Sequence, residues 1–311
     1  MAGLTERPGA LSGIGGTPLV RLQHLPGENA AEVWVKLEGA NPTGSYKDRM
    51  ALAMIEGAER RGALSPGQTV VEYTGGSTGS SLAMVCAVKG YPLRIVTSDA
   101  FAVEKLRTMA AFGATLDIVP SPQGVHPGLI PAMMERAKEI VAEEGAFATD
   151  QFHNIDAIDG YRVIGEEVLD QLPGRIDVAC LYVGVGGCFI GVTGVLRDRW
   201  PELRRVIVEP AESPVISGGS PGTHRIEGGG VGFVPPHITS GTFAEVRLVS
   251  TAEAFAAARD AATSEGVWTG PSGGANLLTA VHLARELGPG HRVVTVQPDS
   301  GLKYLAGGVY A

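Results

Sequence analysis

The chain has 311 residues, of which 44% are hydrophobic and 19% charged, and its formal net charge is -8 at pH 7. This composition is typical of a soluble globular protein with a full core, and the acidic balance disfavours a nucleic-acid partner, which requires clustered Lys and Arg. The three cysteines lack Cys-x-x-Cys spacing, which favours neither a disulfide framework nor a zinc site. We therefore expect a cytoplasmic protein that binds no metal and no nucleic acid.

No membrane association is expected either. Residues 1–13 contain no apolar core of a secretory signal. The uncharged run over residues 178–196 approaches the length that spans a bilayer, but glycines interrupt it. A strand, a glycine turn and a helix explain this run better than a membrane span does.

The first predicted strand and helix flank a motif that contains a lysine. A strand-like run at residues 31–38 leads into Asn-Pro-Thr-Gly-Ser-Tyr-Lys-Asp-Arg at 41–49, where Pro42 and Gly44 interrupt regular structure. Apolar residues then recur at helical spacing to residue 60, which predicts a helix beginning at Lys47. A lysine on such a rigid element can be a point of covalent attachment. The alternative, more common for lysines, is a solvated surface charge.

Alternating strands and helices follow. We predict strands at residues 69–73, 93–97 and 116–119, each followed by a helix, at 77–89, 103–112 and 131–144. A second series comprises helix 156–172, strand 178–183, helix 189–200, strand 206–209, helix 251–265, the segment 271–274 followed by a helix to about residue 287, and strand 292–297. After strand 206–209 comes an irregular segment, residues 210–242, of a length that is usually functional. The pattern predicts two parallel sheets.

The first strand-to-helix junction carries Thr74, Gly75, Gly76, Ser77 and Thr78. Hydroxyls and backbone N–H groups at a helix start can bind a carboxylate. The same residues spell Gly-x-Ser-x-Gly, which is also the nucleophile elbow of serine hydrolases. That alternative makes Ser77 a nucleophile and needs an acid and a histidine later in the chain, for which Asp260 with His282 or His291 is conceivable.

The second glycine-rich junction comprises Gly184, Val185, Gly186, Gly187 and Cys188. It follows a buried strand and opens a helix, which is a geometry suited to a phosphate group. A tight turn without a ligand is the alternative. NAD is disfavoured, because Phe189 stands where the third glycine of the dinucleotide fingerprint would fall.

Three further residues are ambiguous when taken singly. Ser272 stands at a helix start, where an N-cap is the commonest role of a serine. Gln151 lies in a short polar segment with His153, which we interpret as a hydrogen-bonded loop histidine rather than a catalyst.

In this order, a lysine, a carboxylate loop, a phosphate turn and a late serine resemble the fold-type II enzymes that use pyridoxal 5'-phosphate. The sequence is most similar to cysteine synthase, also called O-acetylserine sulfhydrylase, and to the catalytic core of cystathionine β-synthase. The motifs that carry this resemblance span nearly the whole chain and lie at residues 15–20, 41–49, 74–79, 151–152, 184–188, 209–210, 226–233, 270–274 and 299–305.

The resemblance implies an α/β fold of the tryptophan synthase β type, with two three-layer αβα domains and mostly parallel sheets. The smaller domain is expected at residues 38–148, and the larger at 1–37 and 149–311. It also implies a homodimer. The expected activity is β-replacement, through an aminoacrylate, on an O-activated serine or cysteine with a thiol or sulfide nucleophile. β-Elimination by a cysteine desulfhydrase or a serine/threonine dehydratase is the alternative, and a catalytically silent paralogue is a further one.

The resemblance also assigns residues. Lys47 would bind the cofactor covalently, Gly184 to Cys188 would bind its phosphate, and Ser272 would hydrogen-bond its pyridine nitrogen. Ser77 would lie beside its phenolic oxygen. The substrate would be bound by six further residues together with Ser77: Thr74, Gly75, Gly76, Thr78, Gln151 and Gly229.

Four positions depart from the cysteine synthase pattern. Asparagine is usual where Ser77 stands and serine where Gly75 stands, so the substrate loop is smaller and less polar. Threonines are usual at Val185 and Cys188. A hydrogen bond to a charged group is worth roughly 1.5–3 kcal/mol. Backbone amides and the helix end are therefore expected to carry more of the binding of the phosphate.

Overall fold

The computed structural model describes residues 9–122 and 128–310. The chain divides into two compact units. Unit 1 comprises the described residues of Met1–Ile14 and Asn41–Gly160, and unit 2 those of Gly15–Ala40 and Tyr161–Ala311. Both units are α/β with mainly parallel sheets, which confirms the predicted fold class. The domain boundaries expected at residues 38 and 148 stay a prediction; residues 9–14 and 149–160 pack with unit 1.

The strands, in chain order, are β1 (Leu19–Arg21), β2 (Glu32–Leu37), β3 (Val70–Tyr73), β4 (Leu93–Thr97), β5 (Thr115–Ile118), β6 (Phe147–Ala148), β7 (Val178–Tyr182), β8 (Arg204–Pro210), β9 (Glu245–Val249) and β10 (Arg292–Gln297). The α-helices are α1 (Lys47–Arg60), α2 (Ser77–Lys89), α3 (Val103–Ala111), α4 (Leu129–Glu144), α5 (Ile155–Gln171), α6 (Gly187–Arg199), α7 (Thr251–Glu265) and α8 (Pro271–Leu287). Short 3-10 helices lie at Gly9–Gly13, Glu38–Ala40 and Gly301–Tyr304.

Unit 1 contains a four-stranded sheet in the order β5-β4-β3-β6, and its strand pairs are all parallel. All four residues of β3 are buried, as expected for a central strand of a parallel sheet covered by helices. Helix α2 follows directly and ends at Gly90, whose φ of 79° only glycine adopts readily. The order places the loop between β3 and α2 at the carboxyl end of a central strand.

Unit 2 contains a six-stranded sheet in the order β1-β2-β10-β7-β8-β9. β1 is antiparallel to β2, and the other pairs are parallel. β7 is buried throughout, and α8 packs against β2, β7 and β10. The turn after β7 therefore starts from the middle of the sheet, which is where open parallel sheets bind ligands.

The segment between β8 and β9 forms neither helix nor strand over residues 211–244, as predicted. Its first part is anchored by Glu209, which is 1% exposed. The Glu209 carboxylate accepts the N–H groups of Ile216 and Ser217, each at 2.9 Å, and also the Ser217 hydroxyl. A buried charge that meets several donors fixes the start of this segment.

Candidate active site

Lys47 is the first residue of α1 and is 7% exposed, so the alternative of a solvated surface lysine is wrong. The preceding turn is fixed by Thr43, whose N–H and hydroxyl donate to the Asp48 carboxylate at 2.8 and 2.5 Å. Gly44 in this turn has a φ of 72°, a conformation that favours glycine. The Lys47 ammonium lies 5.0 Å from the centre of the Tyr46 ring. A short turn thus presents a buried amine at a helix start.

Residues 74–78, here called the substrate loop, connect β3 to α2. The Thr74 hydroxyl accepts the Gly76 N–H at 3.1 Å, and the Thr78 hydroxyl donates to Gln151 Oε1 at 2.9 Å. The N-cap of α2 is Gly76, which has no side chain to bond the first amides of the helix. Hydroxyls and amides suited to a carboxylate therefore converge here, and Gln151 is brought to the same place.

The lysine turn and the substrate loop are joined within unit 1. The Thr43 and Ser81 hydroxyl oxygens lie 3.3 Å apart, and α1 packs along α2. Gly75, Gly76 and Ser77 are half-buried, whereas Thr74 and Thr78 are buried. The substrate loop is therefore held at its two ends by buried threonines, and its middle residues are partly accessible to solvent.

Sequence reasoning missed Glu72, which is 2% exposed beneath the loop. Its carboxylate accepts the Thr149 hydroxyl at 2.6 Å and the N–H groups of Gln151 and Tyr73 at 3.2 and 3.0 Å. Burial raises the pKa of Glu72 to about 7, although these hydrogen bonds oppose the shift. The one signal in the sequence is a carboxylate within the otherwise apolar strand β3. Glu72 positions the backbone that carries Gln151.

Asp150 has a φ of 45°, an uncommon conformation for a residue with a side chain. Strain of this kind is retained mainly at functional sites, and Asp150 directly precedes Gln151. His153 is exposed, and its Nδ1 lies 2.9 Å from the Asp150 carboxylate. This confirms the prediction of a hydrogen-bonded loop histidine.

In unit 2, Gly184, Val185, Gly186, Gly187 and Cys188 form the phosphate turn between β7 and α6, and all five are buried. Gly186 has a φ of 90° and precedes the helix, whose first amides point toward the turn. A Cβ added at Gly184 would lie 2.5 Å from the Gly228 carbonyl oxygen. Glycine is thus required by close backbone packing, and the turn ends in a helix terminus suited to an anion.

Residues 226–230, the glycine segment, lie against this turn. The Gly230 N–H donates to the Val183 carbonyl at 3.1 Å, and a Cβ added at Gly229 would meet that carbonyl and the Tyr182 ring. His224 holds the segment with both ring nitrogens. Its Nδ1 accepts the Ile226 N–H at 3.2 Å, and its Nε2 lies 2.9 Å from the Gly230 carbonyl. In this arrangement Nδ1 accepts a hydrogen bond and Nε2 donates one.

Ser272 is 3% exposed, and its hydroxyl would lie 3.5 Å from a Cβ added at Gly228. The N-cap of α8 is Gly270, followed by Pro271, so the N-cap interpretation of Ser272 is wrong. Within residues 9–122 and 128–310, the Ser272 side chain makes no hydrogen bond. Its hydroxyl is therefore available to a ligand beside the glycine segment and the phosphate turn.

The serine-hydrolase alternative gains no support. Ser77 is the first residue of α2, but the histidines considered for it do not pair with Asp260. His291 lies 3.5 Å from Asp177 instead, and His282 is exposed on α8. Across the described ranges of the chain, no group of three or more His, Cys, Asp or Glu could hold a metal ion. In the same ranges, every helix is too short or too polar to cross a bilayer.

Each unit, taken by itself, offers groups that suit a part of pyridoxal phosphate. The amides at the start of α6 suit its phosphate, and the Ser272 hydroxyl suits its pyridine nitrogen. The Lys47 amine suits its aldehyde. Val185 and Cys188 supply no hydroxyl, so a phosphate here would meet the backbone amides of the turn; that the turn binds it stays a prediction.

Comparisons with known proteins agree with this fit. Residues 10–299 match the family model described as "Pyridoxal-phosphate dependent enzyme". A cysteine synthase of Staphylococcus aureus is 41% identical over 300 residues, which is 96% of this chain and 95% of that protein. The structure of O-acetylserine sulfhydrylase isoform 3 from Entamoeba histolytica is similar with a TM-score of 0.92 at 32% identity, covering 100% of this chain and 94% of that one. The structure of a hydrogen sulfide-producing enzyme from Fusobacterium nucleatum is similar with a TM-score of 0.88 at 34% identity, covering 96% of this chain and 100% of that one.

The match to the family model covers more than half of the chain, and the cysteine synthase relative is similar over nearly all of it. Two independent comparisons, of sequence and of structure, thus lead to the same group of enzymes as the site geometry does. The chain belongs to the pyridoxal-phosphate-dependent enzymes and, within them, to the cysteine synthase family.

Proposed function

We propose that the protein catalyses β-replacement on an O-activated serine or on cysteine, with sulfide or a thiol as the nucleophile. The observation that carries the proposal is Lys47, a buried amine at the start of α1, which packs along α2, the helix that follows the substrate loop. Cysteine synthase relatives at 41% identity support the same substrate class.

Lys47 has two proposed tasks. Its Nζ is the point of covalent attachment and, once an amino acid replaces it there, the general base that removes the Cα proton. General-base catalysis by a positioned group contributes roughly 10²–10⁴-fold. When bound, pyridoxal phosphate supplies an electron sink for the charge that proton removal leaves on Cα.

The substrate loop is proposed to bind the carboxylate of the amino acid. Amides at the start of α2, including that of Thr78, and the hydroxyls of Thr74 and Ser77 supply the donors. The Thr78 hydroxyl donates to Gln151 and orients its side chain, which has an amide group of its own to offer. Gly75 and Gly76 let the backbone approach the substrate closely.

Unit 2 is proposed to hold the cofactor. Gly184 to Cys188 bind the phosphate through backbone amides, Ser272 hydrogen-bonds the ring nitrogen, and Gly229 offers backbone groups to the substrate. A neutral serine hydroxyl does not stabilise a positive charge on the ring nitrogen as a carboxylate would. This favours departure of the β-substituent over competing fates of the substrate.

β-Elimination is a second candidate, favoured by the likeness to a hydrogen sulfide-producing enzyme. The two functions differ in what reaches the substrate after the leaving group departs. A thiol or sulfide gives replacement, whereas water gives a keto acid and ammonia.

The two are separated by incubating the enzyme and pyridoxal phosphate with O-acetyl-L-serine, with and without sulfide, and measuring cysteine and pyruvate. We expect cysteine in the presence of sulfide and little pyruvate without it. Pyruvate formed at the same rate in both samples would favour elimination. Lys47→Arg, which retains the charge, is the matched inactive control.

We further propose a cytoplasmic homodimer. Within the described residues the three cysteines are buried and form no disulfide, in keeping with a reducing compartment, and burial raises the pKa of the Cys180 thiol to about 12. The dimer is expected from the family resemblance. Sedimentation equilibrium should give about twice the 32.2 kDa of one chain; a mass of one chain would contradict the dimer.

A further inference from the structure

Gly75 in the substrate loop has no room for a side chain because an aromatic ring occupies the space. A Cβ added there would overlap Cγ and both Cδ atoms of Phe101. The neighbouring Gly76 differs, since a Cβ added there would meet nothing within 4 Å. The φ of Gly75 is not positive, so its lack of a side chain reflects packing rather than backbone conformation.

Phe101 is itself held in place. It lies in the turn between β4 and α3, where its N–H donates to the Ser98 carbonyl at 3.3 Å. The Ser98 hydroxyl accepts the Ala100 N–H at 3.2 Å, and the Asp99 carboxylate accepts the Ser121 N–H at 2.7 Å. These bonds fix the backbone from which the ring extends.

A second apolar side chain, Met109 of α3, packs against the start of α2. A Cβ added at Gly79 in α2 would lie 2.6 Å from Met109 Cε and 2.7 Å from its Sδ. Met109 is 0% exposed, whereas Phe101 is half-buried. The start of α2 is thus packed from one side by two apolar side chains, of which Phe101 is the one next to the loop.

We propose that Phe101 is a positioning residue for the substrate carboxylate, acting through Gly75. The Thr74 and Thr78 hydroxyls anchor the ends of the loop by hydrogen bonds, and the Phe101 ring supports its middle by contact with the Gly75 backbone. This inference rests on the proposed function, because it concerns how the same loop binds the amino acid. It identifies a residue outside the loop that sets the geometry of binding.

The ring and the missing side chain are therefore coupled. Gly75→Ala alone must displace the Phe101 ring or shift the loop, whereas in Phe101→Ala the added methyl group enters vacated space. Neighbouring residues that share a contact are characteristically non-additive. The four proteins of this double-mutant cycle, each studied as the holoenzyme, test the coupling.

The first readout is kinetic. Phe101→Ala should raise the KM for O-acetyl-L-serine about tenfold and change kcat by less than about threefold, because the loop is loosened while Lys47 is untouched. Phe101→Leu should restore part of the KM. Gly75→Ala should lower kcat/KM at least about tenfold in the wild-type background and less than about threefold in Phe101→Ala. Equal losses in the two backgrounds would overturn the proposal.

The second readout does not depend on the reaction. Thermal unfolding of the same four holoenzymes should show that Gly75→Ala lowers Tm clearly in wild type and much less in Phe101→Ala. Phe112→Ala, which removes a half-exposed ring at the end of α3, is the matched control and should leave the KM unchanged. If wild type acts on neither an O-activated serine nor cysteine, the proposed function is wrong, and the Tm cycle alone decides the Phe101 proposal; additive Tm changes would overturn it.

Discussion

The substrate loop of unit 1 and the phosphate turn of unit 2 are both strand-to-helix junctions rich in glycine, but they are stabilised differently. The loop depends on side chains: two threonine hydroxyls, Gln151, the buried Glu72 and the Phe101 ring. The turn depends on backbone packed against backbone, with Gly184 against the Gly228 carbonyl.

This difference matches the demands of the two ligands that we propose for these junctions. A cofactor that stays bound suits a rigid cradle, whereas a substrate that enters and leaves suits a loop held by separable contacts at its two ends. The comparison teaches that substitutions should act differently in the two junctions. Substitution of single side chains should change ligand binding by the loop, whereas a side chain added at a glycine should disrupt the close backbone packing of the turn.

The largest expected effect concerns Glu72 and pH. Its pKa is raised from 4.5 to about 7 by burial, so the folded protein binds this proton more tightly than the unfolded chain does. The stabilising contribution is complete below pH 4.5 and is lost as the pH rises through 7, by about 3 kcal/mol at 1.36 kcal/mol per pH unit. Urea unfolding of wild type and Glu72→Gln at pH 5 and pH 8.5 measures this loss.

Wild type should lose about 3 kcal/mol more than Glu72→Gln between these two pH values. The difference between the two proteins isolates Glu72 from the other titrating groups. An identical pH dependence in both would contradict a carboxylate with a raised pKa beneath the loop, and would remove one of the contacts that distinguish the loop from the turn.

The phosphate turn should instead be sensitive to side-chain volume added at its glycines. Gly184→Ala places a methyl group 2.5 Å from a backbone carbonyl that cannot move freely. Overpacking typically costs about 1–3 kcal/mol, which corresponds to roughly 5- to 150-fold weaker binding of pyridoxal phosphate. Titration of the cofactor-free protein, followed by absorbance, measures this affinity.

Gly194→Ala in α6 is the matched control, since the nearest atom to its added Cβ is Arg162 Nη1 at 3.9 Å. Alanine also stabilises a helix relative to glycine. If Gly184→Ala bound the cofactor as tightly as Gly194→Ala, backbone packing would not be what shapes the turn.

The smallest expected effect is that of Thr78→Val, which keeps the shape of the side chain and removes the hydroxyl that donates to Gln151. Loss of a buried hydrogen bond costs about 1 kcal/mol, and we expect a roughly fivefold to tenfold rise in KM for the amino acid with cofactor binding unchanged. Thr108→Val removes a hydroxyl bonded to the Glu104 carbonyl on an exposed helix face and should be silent. Weaker cofactor binding in Thr78→Val would argue against separate roles for the two junctions.

Much of the fold can be predicted from the glycine, proline and hydroxyl residues that precede helices in the sequence. The predicted bounds of α1 and α2 agree with the structure residue for residue, because glycine, proline and hydroxyl residues stand directly before each helix. Sequence patterns miss some of the edge strands, although β5 is predicted. β9 reads Glu-Val-Arg-Leu-Val with no clear bounds after a long irregular segment, and β6 has only two residues. Pairing with a neighbouring strand defines such elements, and single-sequence patterns do not show it.

The candidate site divides in the same way. Lys47, the substrate loop and the phosphate turn are predictable because their chemistry lies in contiguous motifs. Phe101, Glu72 and His224 are not, because each acts on a loop that is distant or unmarked in sequence. An aromatic ring packed over a glycine produces no periodic pattern in the sequence. A histidine that bonds two backbone groups has no distinctive sequence neighbours.

The central claim is that the amine of Lys47 carries the cofactor. Holoenzyme should be treated with borohydride, digested and sequenced by mass spectrometry. The account predicts a reduced phosphopyridoxyl group on the peptide that contains Lys47, and on no other lysine. An unmodified Lys47, or the label on a different lysine such as Lys36 or Lys105, would contradict it.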